Sequence, residues 1–143
     1  MTRSGFYSRL GREVIDPMLQ ALPDSYIQGF VADRCTTCDR VRLLPMPRCP
    51  HCGHSGYVPV AIDPSARLYS WTTTPHRFHA AWADVAPYTV LTVDNTQGIR
   101  LHVPLCLDGT TSDLNDGDPM LLIREDVGAG LSLPVAHPST AAP

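Results

Sequence analysis

The chain has 143 residues, of which 43% are apolar and 17% are charged, a composition typical of a folded globular protein rather than a disordered one. Its formal charge of −3 argues against a basic nucleic-acid-binding protein, and its eleven basic residues are all Arg, which excludes a lysine Schiff-base mechanism. The 14 prolines and 10 glycines favour short strands and many turns over a helical bundle.

The sequence carries no recognisable membrane or export signal. No stretch approaches the ~20 consecutive apolar residues that a membrane helix needs. The N-terminal region also lacks the basic-then-apolar order of a signal peptide. A cytoplasmic location without membrane association is therefore the expectation, and in a reducing compartment closely spaced cysteine pairs favour metal over disulfides.

Residues 1–33 are predicted to form an N-terminal segment of two short helices. Apolar side chains recur there at helix-like spacing, ending with Phe30 and Val31. Pro17 and Pro23 would interrupt any single long helix, and so they divide the segment in two.

The next segment, residues 34–56, holds two Cys-x2-Cys pairs. Cys35 and Cys38 form the first pair, and Cys49 and Cys52 form the second. Four thiolates suit the closed tetrahedral shell of one structural zinc ion, which leaves no coordination position open for catalysis. Gly53, directly after the second pair, can take the positive φ that turns backbone N–H groups toward sulfur. The segment is therefore predicted to bind one structural zinc ion.

Other interpretations of these residues remain open. The four cysteines could hold iron or form a disulfide or redox dithiol, and His51 or His54 could replace one of them as a ligand. The fifth cysteine, Cys106, lies in a strand-like run and is expected to be buried and inert. Three arginines near the pairs would offset the thiolate charge or form a second anion-binding face; they are Arg40, Arg42 and Arg48.

From Tyr57 onward the pattern is typical of β-structure. Five runs rich in β-branched and aromatic residues are bounded by turn residues and predict five strands. They are Val58–Ile62, Ala66–Thr74, Tyr88–Asp94, Gly98–Leu107 and Met120–Val127. Residues 94–98 predict a hairpin turn with Gly98 in the left-handed region, and residues 115–119 predict a second turn. Residues 57–135 are thus predicted to form a small closed or nearly closed barrel, followed by a loose tail over 136–143.

The loop between the second and third of these strands is a candidate ligand- or partner-binding surface. It concentrates two imidazoles, a guanidinium and two aromatic rings in a few residues: His76, Arg77, Phe78, His79 and Trp82. Arg77 could pair with a phosphate or carboxylate, and Phe78 or Trp82 could stack on an adenine or insert into a partner. The alternative is an ordinary connection whose rings cap the barrel. The sequence favours partner contact over ligand contact.

Taken in order, these features resemble the DUF35 family. The resemblance covers roughly residues 20–127 and rests on the cysteine frame with its Pro-rich spacer, then ARLYSWTTT, then APYTVLTVDNTQGIRLHVPL. Only the cysteine frame is specific by itself; residues 1–19 and the loop 75–87 do not add to the resemblance. It implies a mainly β protein with short N-terminal helices, a rubredoxin-like zinc ribbon over residues 34–56 and a five-stranded OB-fold barrel over residues 57–135.

The resemblance also implies a function in acyl-CoA metabolism. Members of the family accompany thiolase-type, hydratase or aldolase enzymes, so the expectation is a non-catalytic accessory subunit in a hetero-oligomer. Its cofactor would be one structural zinc ion, with a coenzyme A thioester as a further ligand.

Two other functions are weighed against this one. The first is single-stranded nucleic-acid binding, since OB-folds and zinc ribbons serve that purpose elsewhere. Residues 56–143 oppose it because they carry four Arg against nine acids, a balance of −5. The second is a stand-alone hydrolase or transferase, but Ser70, His76 and His79 form no oriented triad in the sequence.

Overall fold

The computed structural model describes residues 5–10, 20, 31–43, 46–106, 113–128 and 131–139, and these residues form a mainly β structure. The strands are β1 (Val31–Cys35), β2 (Val41–Arg42), β3 (Tyr57–Ala61), β4 (Ser65–Thr74), β5 (Tyr88–Asn95), β6 (Arg100–Pro104), β7 (Pro119–Gly128) and β8 (Leu131–Pro138). Short 3-10 helices span Tyr7–Arg9 and Ala80–Trp82. Within the described ranges, no helix is long and apolar enough to cross a membrane. The two predicted N-terminal helices lie mostly outside the described residues.

The ribbon is a three-stranded antiparallel sheet in the order β2-β1-β3. The helix-like spacing of apolar residues placed residues 31–33 in the predicted helical segment. In the structure they begin β1, because each of them pairs with a residue of β3. The sequence placed β3 at the start of the barrel, whereas in the structure it is hydrogen-bonded to β1 instead. By sheet membership, the ribbon therefore extends to Ala61, and the larger sheet begins at Ser65.

The second sheet has five strands in the order β6-β5-β4-β7-β8, with antiparallel neighbours. Its two edges approach each other through a parallel bridge between Leu105 and Ala136, where the N–H of Cys106 donates to the carbonyl of Ala136 at 2.8 Å. This arrangement fits an OB-like sheet. Strands β4 to β7 correspond to four of the five predicted strands.

Strand β8 was not predicted from the sequence. Residues 136–138 were assigned to a loose tail, but they lie in β8, and Val135 and Ala136 are buried. Strand β8 contains Pro134 and Pro138, which are tolerated because β8 is an edge strand and a missing N–H there breaks few ladder hydrogen bonds. Residues 140–143 lie outside the described residues.

The ribbon and the five-stranded sheet share one hydrophobic core. Ala32 of β1 is fully buried in the same cluster as Leu68, Leu91 and Leu101 of the larger sheet. Three partly buried ribbon side chains pack against that cluster as well: Val41, Leu43 and Val60. Loss of the ribbon would therefore expose apolar surface of the larger sheet.

Polar contacts between the linker and the β5–β6 turn fix the ribbon in place. The side-chain amide of Gln97 accepts from the N–H of Asp63 at 2.9 Å and donates to the carbonyl of Ala61 at 2.8 Å. The hydroxyl of Thr96 donates to the Asp63 carboxylate, and this bond lowers the pKa of Asp63. The predicted hairpin turn is confirmed, with Gly98 at φ 78°. The turn therefore closes the hairpin and also holds the connection between the two sheets.

The N-terminal residues 5–10 dock on the larger sheet through one aromatic side chain. The ring of Phe6 stacks on Trp82 with centroids 4.7 Å apart and meets Tyr88 edge-on at 5.3 Å. The carboxylate of Glu125 accepts the backbone N–H groups of Phe6 at 3.0 Å and Ser8 at 2.6 Å. This segment therefore belongs to the folded unit, although no distinctive sequence pattern predicted its docking.

Candidate metal centre

The four cysteine side chains of the ribbon converge on one point. Their Sγ atoms all lie within 4.8 Å of one another. The Sγ atoms of Cys35 and Cys52 are 3.6 Å apart, as are those of Cys38 and Cys49. In a tetrahedral zinc site with Zn–S bonds near 2.3 Å, neighbouring sulfurs lie about 3.8 Å apart. The donor set and its spacing therefore fit a zinc ion with four thiolate ligands.

The two Cys-x2-Cys pairs form the same local structure twice. The N–H of the first cysteine donates to the carbonyl five residues later, at 2.9 Å for Cys35 and 2.8 Å for Cys49. The N–H of the residue after the second cysteine donates to the carbonyl of the first cysteine. The distance is 3.1 Å from Asp39 to Cys35 and 2.9 Å from Gly53 to Cys49. Asp39 and Gly53 both adopt positive φ, 61° and 77°. The prediction for Gly53 is confirmed, and the equivalent role of Asp39 was missed.

Comparison with known proteins agrees with this geometry. Residues 27–58 match the family described as the ChsH2 rubredoxin-like zinc ribbon domain. A solved structure named Ltp2-ChsH2(DUF35) aldolase superposes with a TM-score of 0.67 at 31% sequence identity, and the match covers 80% of this chain and 87% of that one. The chain belongs to the DUF35 family. The four cysteines of this DUF35 protein form the zinc-ribbon site of the family.

A second relative is a longer protein. The probable enoyl-CoA hydratase alpha subunit of Thermomonospora curvata is 34% identical over 111 residues, which are 77% of the DUF35 chain. The match spans only 34% of that relative's length. The similarity therefore concerns one part of the hydratase subunit.

Backbone N–H groups, burial and the neighbouring sulfurs shift the pKa values of Cys35, Cys38 and Cys49. The N–H groups three and two residues after Cys35 lower the pKa of its thiol, and the same pattern lowers the pKa of Cys49 to about 6. At Cys38 the N–H of Arg40 also lowers the pKa, but desolvation and the neighbouring sulfurs outweigh it and raise the pKa to about 11. Because zinc takes thiolates, uptake near neutral pH must displace at least the Cys38 proton. The affinity of the site for zinc therefore falls as the pH falls.

Two arginine side chains make contacts within the ribbon. Arg48 donates to the carbonyl of Gly53 at 3.1 Å. Arg40 contacts the imidazole of His51 at 3.1 Å. The four sulfurs alone make up the cluster, so neither His51 nor His54 belongs to it in the described part of the chain.

A further arginine lies in the ribbon sheet. Arg42 is half-buried and lies 3.9 Å from the buried Asp33, its partner across β1 and β2. Its guanidinium lies 5.5 Å from the centroid of the Tyr57 ring. The side chain also donates to the carbonyl of Met46 at 3.1 Å. Arg42 of β2 therefore contacts Asp33 of β1 and Tyr57 of β3, and its side chain makes these contacts within the ribbon.

The five candidate residues of the 75–87 loop separate into two groups. His76, Arg77 and Phe78 are exposed, and the Phe78 side chain retains 69% of its accessible surface. The His79 imidazole accepts from the N–H of Ala81 at 3.0 Å, and the Trp82 indole donates to the carbonyl of Phe6 at 2.8 Å. The first three are available to a partner, whereas the last two already make contacts within the chain.

Replacement of Gly53 by alanine is expected to weaken zinc binding about tenfold. A β-carbon at this position meets no atom within 4 Å, so the cost comes from the left-handed backbone alone, about 1–2 kcal/mol. The zinc dissociation constant, measured by competition with a chromophoric chelator, tests this.

The matched control is Asp39→Gly in the first pair. Glycine adopts positive φ freely, so this variant is expected to hold zinc at least as tightly as the wild type. Equal affinities for Gly53→Ala and the wild type would contradict the role assigned to the backbone of these two turns.

Proposed function

We propose that this DUF35 protein is a non-catalytic accessory subunit of an acyl-CoA enzyme. The observation that carries the proposal is its similarity, across 87% of that chain, to a structure named as an Ltp2-ChsH2(DUF35) aldolase. The relative named as a probable enoyl-CoA hydratase alpha subunit supplies the acyl-CoA context. The partner class is therefore a hydratase, aldolase or thiolase-type subunit in a hetero-oligomer in the cytoplasm.

The metal has a structural role in this proposal. Cys35, Cys38, Cys49 and Cys52 each supply one thiolate, and four thiolates complete the tetrahedral shell of zinc. A catalytic zinc needs a position for water or substrate, which a four-sulfur shell does not leave. Zinc then stabilises the ribbon and, through the shared core, the larger sheet.

The described side chains support a helper role rather than independent catalysis. Four imidazoles bond to Arg40, to Thr92 at 3.0 Å, or to backbone groups; they belong to His51, His79, His102 and His137. Among the residues that the structure describes, none of these bonds joins a histidine to both a nucleophile and a carboxylate, as nucleophilic catalysis requires. In this proposal the chemistry on a coenzyme A thioester belongs to the partner, and the chain supports binding or turnover there.

Co-expression tests this function. The chain is produced together with the thiolase, hydratase or aldolase subunit encoded beside its gene, and the mixture is analysed by size-exclusion chromatography with light scattering. We expect one hetero-oligomeric peak and a higher turnover of acyl-CoA substrate by the complex than by the partner alone. Separate elution combined with full partner activity in the absence of the chain would refute the proposal, and so would turnover by the chain alone.

A further inference from the structure

The second half of β4 has a strand on one side only. Strand β7 pairs with β4 through Ser65, Ala66 and Arg67, and the last contacts are two backbone bonds at Leu68. Strand β5 continues along β4 as far as Thr74. Within the described ranges, no second strand pairs with residues 69–74. Every second residue there directs its N–H and C=O groups away from β5, toward a position that a further strand would fill.

This half of β4 is also exposed on both faces. Side chains alternate between the two faces of a strand, and yet all five from Tyr69 to Thr73 are exposed. Trp71 lies opposite Leu91, which is fully buried, but the indole keeps 38% of its surface accessible. Phe78 follows in the adjoining loop. Three large exposed rings thus lie within ten residues of the chain, those of Tyr69, Trp71 and Phe78.

The edge lacks the features that usually prevent a strand from pairing with another chain. Exposed edges are commonly protected by charged side chains, by proline or by short length. Residues 69–74 read Tyr-Ser-Trp-Thr-Thr-Thr, with no charge and no proline before Pro75, and they have high β-propensity. An edge with this composition is suited to receiving a strand.

The charge of the surface specifies the partner's chemistry. Residues 69–79 contain Arg77 and two histidines but no acidic residue, although residues 56–143 carry four Arg against nine acids. Arg77 is exposed, and within the described residues no hydrogen bond or ion pair engages its guanidinium. A guanidinium in this setting favours a partner carboxylate.

We propose that residues 69–78 form the docking edge for the partner enzyme. This docking edge accepts an extended segment of the acyl-CoA enzyme subunit as an added strand beside β4, with a partner carboxylate at Arg77 and apolar side chains on Trp71 and Phe78. The inference rests on the proposed accessory function and adds to it the surface and the mode of contact.

Binding to the acyl-CoA enzyme subunit that co-purifies with the wild-type chain tests the docking edge. Phe78→Ala removes an exposed ring, Arg77→Glu reverses the charge, and Thr72→Lys places a charge on the edge itself. We expect each to weaken binding at least about tenfold, as truncation of interface anchors does. Because these side chains are exposed, the variants are expected to retain the thermal stability of the wild type.

The matched control is Arg124→Glu, which reverses an exposed charge on β7, away from the docking edge. It is expected to bind the partner like the wild type. Amide hydrogen exchange in the wild-type complex gives a second readout, since an added strand protects backbone N–H groups of residues 69–74 and a contact between side chains alone does not.

The outcomes separate this inference from the function on which it rests. A wild-type complex that all three docking-edge variants also form at unchanged affinity would overturn the docking edge and leave the accessory function standing. Failure of the wild type to bind any acyl-CoA enzyme subunit would overturn both. A homodimer of the chain that Thr72→Lys dissociates would also overturn the inference, because the occupant of the edge would then be a second copy.

Discussion

Replacement of Cys49 by serine is expected to abolish stoichiometric zinc binding and to unfold the ribbon. Cys49 is buried within the four-sulfur cluster, and a serine hydroxyl does not ionise to replace its thiolate. Structural zinc sites contribute on the order of 10 kcal/mol to the folding of small domains, so losing one of four ligands removes most of that stabilisation. The zinc content of the purified variant, measured by metal analysis, should fall from about one equivalent per chain toward zero.

The effect is expected to extend beyond the ribbon. Ala32 and its ribbon neighbours pack into the core of the five-stranded sheet, so an unfolded ribbon exposes that core to water. Both tryptophans of the chain, Trp71 and Trp82, lie outside the ribbon and report on the larger sheet. Urea unfolding followed by tryptophan fluorescence should therefore shift to lower denaturant concentration in Cys49→Ser and in chelator-treated wild type.

Cys106→Ser supplies the control for this experiment. Cys106 is a half-buried cysteine that packs against the cluster of Phe6, Tyr88 and Val135 rather than with the four sulfurs. Its replacement is expected to leave the zinc content at about one equivalent and to lower stability modestly. A tryptophan transition that does not respond to zinc removal would mean that the two sheets fold independently, contrary to the shared core.

The metal centre was predictable because its information is local. Two Cys-x2-Cys pairs determine which sulfurs can face one ion, and the structure brings all four within 4.8 Å. The left-handed residue after the second pair was predictable because Gly53 is a glycine. The same conformation at Asp39 was not predicted, because aspartate adopts positive φ only occasionally and the requirement comes from its hydrogen bond back to Cys35.

The fold was predictable where a strand carries its own pattern. Strands β4 to β7 appear as runs of β-branched and aromatic residues between turn residues, and the structure places them within a few residues of the predicted bounds. Strands β1 and β8 were not predicted. Val31–Cys35 is short and becomes a strand through its pairing with β3, whereas β8 contains prolines that only an edge position accommodates.

The exposure of individual side chains in the 75–87 loop was not predictable from the sequence. The sequence of the loop marks a cluster of aromatic and basic residues but does not distinguish rings that face solvent from rings that pack internally. Trp82 packs against Phe6, which lies far away in the chain, whereas Phe78 is exposed to solvent. Such long-range contacts have no signature in a single sequence, and they decide which part of the loop is free to bind.

Replacement of Phe6 by alanine is expected to destabilise the protein by about 3 kcal/mol or more. The Phe6 ring is buried, stacks on Trp82 and meets the rings of Tyr7 and Tyr88 edge-on, so its removal leaves a cavity and deletes three aromatic pairs. Trp82 then becomes more accessible to water, and its fluorescence emission should shift to the red. Urea unfolding gives the loss of stability.

Arg9→Ala is the matched control in the same segment. It removes a surface ion pair of residues 5–10 but leaves the aromatic contacts of Phe6 in place. Arg9 pairs with Asp84 at 2.8 Å at the protein surface, where such pairs contribute about 0–1 kcal/mol. We therefore expect a small effect from Arg9→Ala and a large one from Phe6→Ala. If both variants unfolded like the wild type, with unchanged emission, residues 5–10 would not be held on the sheet in solution. Because Trp82 lies in the 75–87 loop, which also contains Arg77 and Phe78 of the docking edge, a Phe6→Ala variant with weakened partner binding would further indicate that the N-terminal segment holds this loop in place.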